Sequence, residues 1–272
     1  MNEFKQCILN ILLWFHEFCE EHQLRYFLVE GTMLGAARHE GFIPWDDDID
    51  VGMPRDDYEK LKRIMGTSIH NGKYMLETED SERREYLVPF GKIYDTTTRL
   101  VEQRRIPVLM GVYIDVFPLD GIGETLDEAN HNFSKIAFIH NILASRTVVI
   151  RKGRKWYKNL AVKVFQALPG SVINEKRLLW RISELCKKRS FDDSKYVGNL
   201  VSTYRSREIM PREFYGQPRL YMFEGHQVYG VADADGYLKA LYGDWRKLPP
   251  EEKRKSSHTM EQVDLHTSFI NG

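Results

Sequence analysis

Four carboxylates, Asp46, Asp47, Asp48 and Asp50, fall within five positions of one another behind Trp45 in the stretch GFIPWDDDIDVG. Such a run repels itself unless something positive sits in it. Asp48 and Asp50 alternate with Ile49 and Val51, which is strand periodicity, and side chains two apart on a strand share a face with roots roughly 6 to 7 Å apart. Carboxylates placed in this way can converge on shared hard cations, Mg2+ or Mn2+. Two such ions about 3.5 to 4 Å apart clamp the attacking and leaving oxygens of phosphoryl or nucleotidyl transfer and neutralise developing charge. Asp48 and Asp50 are the predicted ligands, with Asp46 and Asp47 behind them. An EF-hand beginning at Asp46 is excluded, because its sixth and twelfth positions need Gly and Glu and the chain has Val51 and Asp57 there. A solvated acidic loop is the plain alternative, but solvent faces do not normally alternate with Ile and Val on a half-buried strand.

The acidic run is preceded by EGTMLGAARHEG. Gly31 and Thr32 at a strand-to-helix turn offer backbone N–H groups and a hydroxyl at a helix N-terminus, where the dipole and unpaired donors favour a phosphate. A turn that holds phosphates, a helix, and then Asp-Ile-Asp on the next strand is the pattern of a nucleotidyltransferase-type site. Arg38 at the end of that helix is a phosphate ligand or a solvated surface arginine. Lys92, beside Tyr94, meets a diphosphate oxygen as a point charge or lies on an exposed sheet edge. A third carboxylate is expected from VYIDVFPLDG, where Asp115 is a lone acid inside an apolar strand. Burying it unpaired would be costly. The cost disappears if it faces the same metals as Asp48 and Asp50, where it could also accept the proton of an attacking hydroxyl. The alternative is a salt bridge to an Arg or Lys. Asp120, in Pro-Leu-Asp-Gly, reads as a turn residue.

The elements that must carry these residues follow from periodicity. Residues 3 to 22 form an amphipathic helix, with Phe4, Ile8, Ile11, Leu12, Phe15, Phe18 and Cys19 at helical spacing. Residues 26 to 29 read as a short strand, Thr32 caps a helix through Arg38 that Gly41 ends, and residues 54 to 65 return to a helix. Strands are predicted at 74 to 79, 86 to 94, 112 to 117, 196 to 202 and 219 to 231, with a helix at 235 to 242. Between 125 and 188 the period is helical, broken near Gly153 and Pro169-Gly170, with Ser171 capping the last helix. The predicted organisation is a catalytic core over 1 to 124, a helical insert over 125 to 190, and a C-terminal part over 191 to 272 that completes the site.

Composition narrows the function class. Lys plus Arg equals Asp plus Glu at 39 each over 272 residues, so no global field recruits nucleic acid, and none is expected as a partner. Three scattered cysteines fit neither a disulfide framework nor a zinc cluster, which points to a reducing, cytoplasmic setting. No signal peptide or membrane-spanning segment is read. The basic run RKGRKWYK carries Arg151, Lys152, Arg154 and Lys155 beside two aromatics; it suits a peripheral contact with the inner face of a membrane, or a solvated turn between helices. No GxSxG, GxxxxGK, complete GxGxxG or HExxH occurs, so hydrolase, P-loop, Rossmann and zincin chemistries have no starting point.

The stretch EGTMLGAARHEGFIPWDDDIDVGMPRDDYEKL resembles the signature of the LicD family, bacterial transferases related to the fukutin-like proteins of animals. GKIYDTTTR, YIDVFPLDG and YLKALYGDWRKLPPEEKR resemble later motifs of that family in the same order. The resemblance implies an α/β, nucleotidyltransferase-like mixed sheet with flanking helices and an added helical segment. It also implies transfer of a phospho-alcohol, commonly phosphocholine from CDP-choline, to a sugar hydroxyl of a cell-surface glycan, with a CDP-linked donor and a glycan acceptor that can be lipid-linked. Two alternatives stay open: a nucleotidyltransferase that releases pyrophosphate, and a catalytically silent CDP-alcohol binder.

Overall fold

A computed structural model describes residues 1–150, 155–254 and 260–270. In chain order the elements are α1 (Glu3–Glu21), β1 (Phe27–Leu28), α2 (Glu30–His39), β2 (Asp50–Pro54), α3 (Arg55–Met65), β3 (Ile69–His70), β4 (Tyr74–Glu77), β5 (Gly91–Glu102) and β6 (Val108–Gly123). They continue with α4 (Leu126–Thr147), α5 (Trp156–Ala167), α6 (Glu175–Cys186), β7 (Tyr196–Gly198), β8 (Met210–Pro211), β9 (Arg219–Phe223), β10 (His226–Gly230), α7 (Ala234–Tyr242) and β11 (Met260–Asp264).

The sheet is mixed, as expected. Its main path runs β3-β4-β5-β6-β2-β1-β10-β9, with β11 added to β5. β2 lies parallel to β6 and β1 parallel to β10, and the other pairings are antiparallel. β6 is long enough to serve three partners: Val108 to Val116 face β5, Asp115 to Leu119 face β2, and Asp120 to Gly123 face β7. The principal core lies where α1, α2, α3 and α7 cover the sheet, with Ile11, Leu12, Phe15, Tyr26, Val51 and Val116 fully buried. α1 starts where its sequence says, because the Asn2 side chain accepts from Lys5 N at 2.8 Å.

The helical segment has its own apolar cluster. Phe133 and Ile136 of α4 meet Leu179, Ile182 and Cys186 of α6, with Ile122 at the end of β6 beneath them. α4 is capped by Thr125, whose Oγ1 accepts from Glu128 N, while the Glu128 carboxylate accepts from Glu124 N. The cap of α6 is Asn174, which accepts from Arg177 N, not Ser171. Thr32 likewise does not cap α2: Val29 occupies that position without a side-chain bond, and the Thr32 hydroxyl is used elsewhere. The strand expected over 86 to 94 begins only at Gly91 and runs on to Glu102, and that over 112 to 117 extends to 108–123. Gly153 lies outside the described residues.

Candidate active site

Strand pairing assembles the site. Asp50 opens β2, and its Cα partner on the parallel neighbour β6 is Asp115, so acids 65 positions apart in the chain stand side by side. The arrangement is locked by backbone bonds: Asp115 N donates to Ile49 O at 2.9 Å, and Val29 N donates to Asp50 O at 3.1 Å. Asp48 and Ile49 precede β2 instead of belonging to it, leaving Asp48 partly exposed while Asp50 is buried. Pairing with β6 begins at Asp50, and pairing with β1 on the other side begins at Val51.

The turn and the strand are joined through Thr32, whose Oγ1 accepts from Asp50 N at 2.8 Å. The N-terminal end of α2 is thereby fixed beside the carboxylates. Its positive end and the amides a helix cannot satisfy internally face negative charge. A Cβ at Gly31 would stand 3.0 Å from Asp46 Oδ2, so the Asp46 side chain packs closely against the turn and would have to give slightly to admit a larger residue. Thus Asp46, Gly31, Thr32, Asp50 and Asp115 form one locus.

Lys92 is not on an exposed edge. β5 lies between β4 and β6, and Lys92 is 2% exposed, directly across from Asp115. Its Nζ donates to Asp115 Oδ1 at 2.5 Å and sits 3.5 Å from the centre of the Tyr113 ring. The pairing of Asp115 with a lysine, expected as the alternative to metal ligation, is therefore present, and it fixes one oxygen of a carboxylate that also borders Asp50. Charge-assisted bonding and the ring's quadrupole together hold the ammonium in place. Arg38 is about 10 Å along the helix axis from Gly31 at 1.5 Å per residue. There its Nη1 donates to Trp245 O at 2.7 Å and its Nε to His39 Nε2 at 3.0 Å, so the structure does not bring it to the carboxylates. Asp120 is not a turn residue. It is 1% exposed and takes both arms of Arg55, at 2.8 and 2.7 Å.

Glu30 was not singled out from sequence. It is buried at the head of α2 with φ of 48°, a left-handed conformation costly for a side chain other than Gly. Its N–H donates to Tyr237 Oη at 2.9 Å, and its Oε1 accepts from Asn199 Nδ2 at 3.1 Å. A second buried carboxyl, Glu208, lies against it, with neither oxygen receiving a well-formed hydrogen bond. Burial pushes the Glu30 carboxyl up to about 7, and the Asp115 charge adds to the effect against bonds from Ser202 and Asn199. The Asp50 carboxyl is held well above its ordinary range, first by burial and then by Asp48, Glu30, Asp115 and Asp46. Asn199, Glu208 and Tyr237 reach Glu30 from 169 to 207 positions downstream, so only the strain-prone Glu directly before Gly-Thr could have drawn attention in the sequence.

Asp46, Asp48, Asp50 and Asp115 concentrate negative charge at one end of the sheet, the kind of charge that a hard divalent cation would neutralise. No group of three or more His, Cys, Asp or Glu among the described residues is gathered into a ready-made cage.

Over 267 residues, 94% of this chain and 95% of the relative, the sequence is 31% identical to the lipopolysaccharide cholinephosphotransferase LicD of Haemophilus influenzae. The chain belongs to the LicD family. The family model described as LicD/FKTN/FKRP, nucleotidyltransferase domain, matches residues 23–135, which span α2, β2 and β6 with every carboxylate of the locus except Glu208. A shorter match, 44% identical over 16% of this chain and 9% of the relative, is to human ribitol 5-phosphate transferase FKRP. An uncharacterised protein of Rickettsia prowazekii is 42% identical over 18% of this chain and 19% of its own. No helix among the described residues is long and apolar enough to cross a membrane. Of the basic run, Arg151, Lys152 and Arg154 lie outside the described residues, and Lys155 immediately precedes α5.

Proposed function

We propose that this LicD-family chain transfers a phospho-alcohol, phosphocholine first among the choices, from a CDP-linked donor to a sugar hydroxyl of a cell-surface glycan. The observation that carries the proposal is near-full-length similarity to a lipopolysaccharide cholinephosphotransferase. Asp50 beside Asp115 and the Gly31-Thr32 turn supply the matching chemistry.

In this reading the acceptor oxygen forms a bond to the phosphorus that carries the alcohol. The bond from that phosphorus to the bridging oxygen breaks, and CMP leaves. The acceptor's proton passes to the Asp115 carboxylate, which Lys92 orients through its other side. The amides of Gly31 and Thr32 steady the diphosphate at the helix N-terminus. Asp46 shapes the turn by its approach to Gly31, and Asp47 steadies Asp46 by donating its N–H to Asp46 Oδ1 at 3.3 Å. Arg38 acts at a distance, by tying the end of α2 to Trp245. Mg2+ or Mn2+ held by Asp48, Asp50 and Asp115 would neutralise diphosphate charge. A cytoplasmic site with peripheral contact at the inner face of the membrane, through Arg151, Lys152, Arg154 and Lys155, suits a lipid-linked acceptor.

A screen of CDP-choline, CDP-ribitol, CDP-glycerol and CDP-ethanolamine with mixed glycan acceptors tests donor and reaction together. Metal-dependent CMP release is expected with one of them. Pyrophosphate release from a nucleoside triphosphate and a phospho-alcohol would make the chain a nucleotidyltransferase instead, and no turnover with any donor would leave only a binder.

A further inference from the structure

α5 carries large apolar side chains on the side turned away from the protein. Trp156 is 76% exposed, Tyr157 49%, Leu160 52% and Val164 54%. At 3.6 residues per turn, about 100° per residue, these four and the exposed Ala161 share one side of the helix. The opposite side is tied down: Val162 is buried, and Gln166 Nε2 donates to Ser145 O at 3.1 Å and Val148 O at 2.9 Å at the end of α4. The stripe is thus held outward by contacts on the other face. The exposed Lys158 and Lys163 fall at its two margins. Although the whole chain is neutral, the stretch from Ala129 to Asn174 contains eight Lys and Arg and no Asp or Glu.

We infer that α5 is an interfacial helix that seats the protein on an anionic phospholipid surface. Trp156, Tyr157, Leu160 and Val164 enter the headgroup boundary, and Lys158 and Lys163 meet lipid phosphates. An apolar face with Trp and Tyr, lysines at its edges and no acid is the pattern of helices that lie in such a boundary. With 12 residues α5 is too short to span a bilayer. A second copy of the chain would also cover the stripe. A two-fold contact through α5, however, would bring lysines against lysines with no carboxylate on the helix to answer them. The inference deepens the proposed function, on which it rests for the reason a transferase would sit there: a lipid-linked glycan is presented at a membrane.

Flotation of the full chain with phosphatidylcholine vesicles, with and without phosphatidylglycerol, tests the inference, alongside the triple variant Trp156→Glu/Leu160→Glu/Val164→Glu and the pair Lys158→Gln/Lys163→Gln. Binding to the phosphatidylglycerol vesicles is expected to fall about tenfold or more in each variant, and to weaken with salt for the wild type. Melting temperature and CMP release with a soluble acceptor should not change, because every replaced side chain is exposed. The inference is overturned if the wild type does not float with anionic vesicles at low salt, or if both variants float equally well. It is also overturned if light scattering shows a dimer that the triple variant abolishes while vesicle binding is absent. Flotation needs no turnover, so a chain that floats but releases no CMP with any donor counts against the proposed function and leaves the lipid surface standing.

Discussion

Replacing Glu30 by Gln should stabilise the protein, by an amount that grows as pH rises from about 4.5 to about 7. The carboxyl is buried and lifted from 4.5 to about 7, first by burial. Between those two values the folded chain keeps a proton that the unfolded chain has released, so stability falls as pH rises and reaches its floor above 7. The interval is worth about 3 kcal/mol at roughly 1.4 kcal/mol per pH unit. Gln keeps an oxygen for the Asn199 Nδ2 donor and cannot ionise. Urea melts of metal-free wild type and Glu30→Gln should therefore differ by less than about 1 kcal/mol at pH 5 and by about 3 kcal/mol at pH 8. The latter corresponds to roughly 6 to 10 °C in Tm for a chain of this size. A difference that does not grow with pH, or a variant less stable than wild type at pH 8, would show that the Glu30 charge is compensated by a group not identified around it.

Other substitutions separate the roles of the locus. Asp48→Asn and Asp50→Asn should each abolish turnover while leaving thermal stability level or higher, because Asp50 is crowded by burial and by Asp48, Glu30, Asp115 and Asp46. Near wild-type rates at saturating Mg2+ would sink the ligand assignment. Lys92→Met should cost about 3 kcal/mol in a denaturant melt, since it removes the buried ammonium paired with Asp115, and a change below about 1 kcal/mol would mean that the 2.5 Å pair is dispensable. Arg55→Met leaves Asp120 buried without its two-armed partner and should lose about 3 to 5 kcal/mol without altering the metal dependence of any surviving turnover. A stable variant would assign Asp120 to the surface turn that its sequence suggests.

Local period and chemistry made much of the site legible. Asp50 and Asp115 were both visible as acids set in apolar strands, and their juxtaposition follows once β2 and β6 pair in parallel. The mixed sheet and the helical segment likewise follow from periodicity together with family resemblance. What sequence misplaced depends on pairings that no window contains. Lys92 looks like an edge residue until β4 and β6 enclose β5 from both sides. Asp120 has perfect turn surroundings, yet Arg55 reaches it from 65 positions away. Glu30 is silent because its partners, Asn199, Glu208 and Tyr237, come from the far end of the chain. The α6 cap is ambiguous in sequence for a simpler reason: Ser171 and Asn174 are both good caps, and only the donor that each can reach decides between them.

Which phosphorus is attacked can be read from one labelled donor. CDP-choline carrying the isotope on the phosphorus next to choline, incubated with the chain, Mg2+ and a lipopolysaccharide acceptor, should deliver the label to the glycan and release unlabelled CMP. The Asp50→Asn variant should deliver none. Transfer of the cytidine-bearing phosphorus to the acceptor, or equal labelling by wild type and Asp50→Asn, would contradict phospho-alcohol transfer at the Asp48, Asp50 and Asp115 locus.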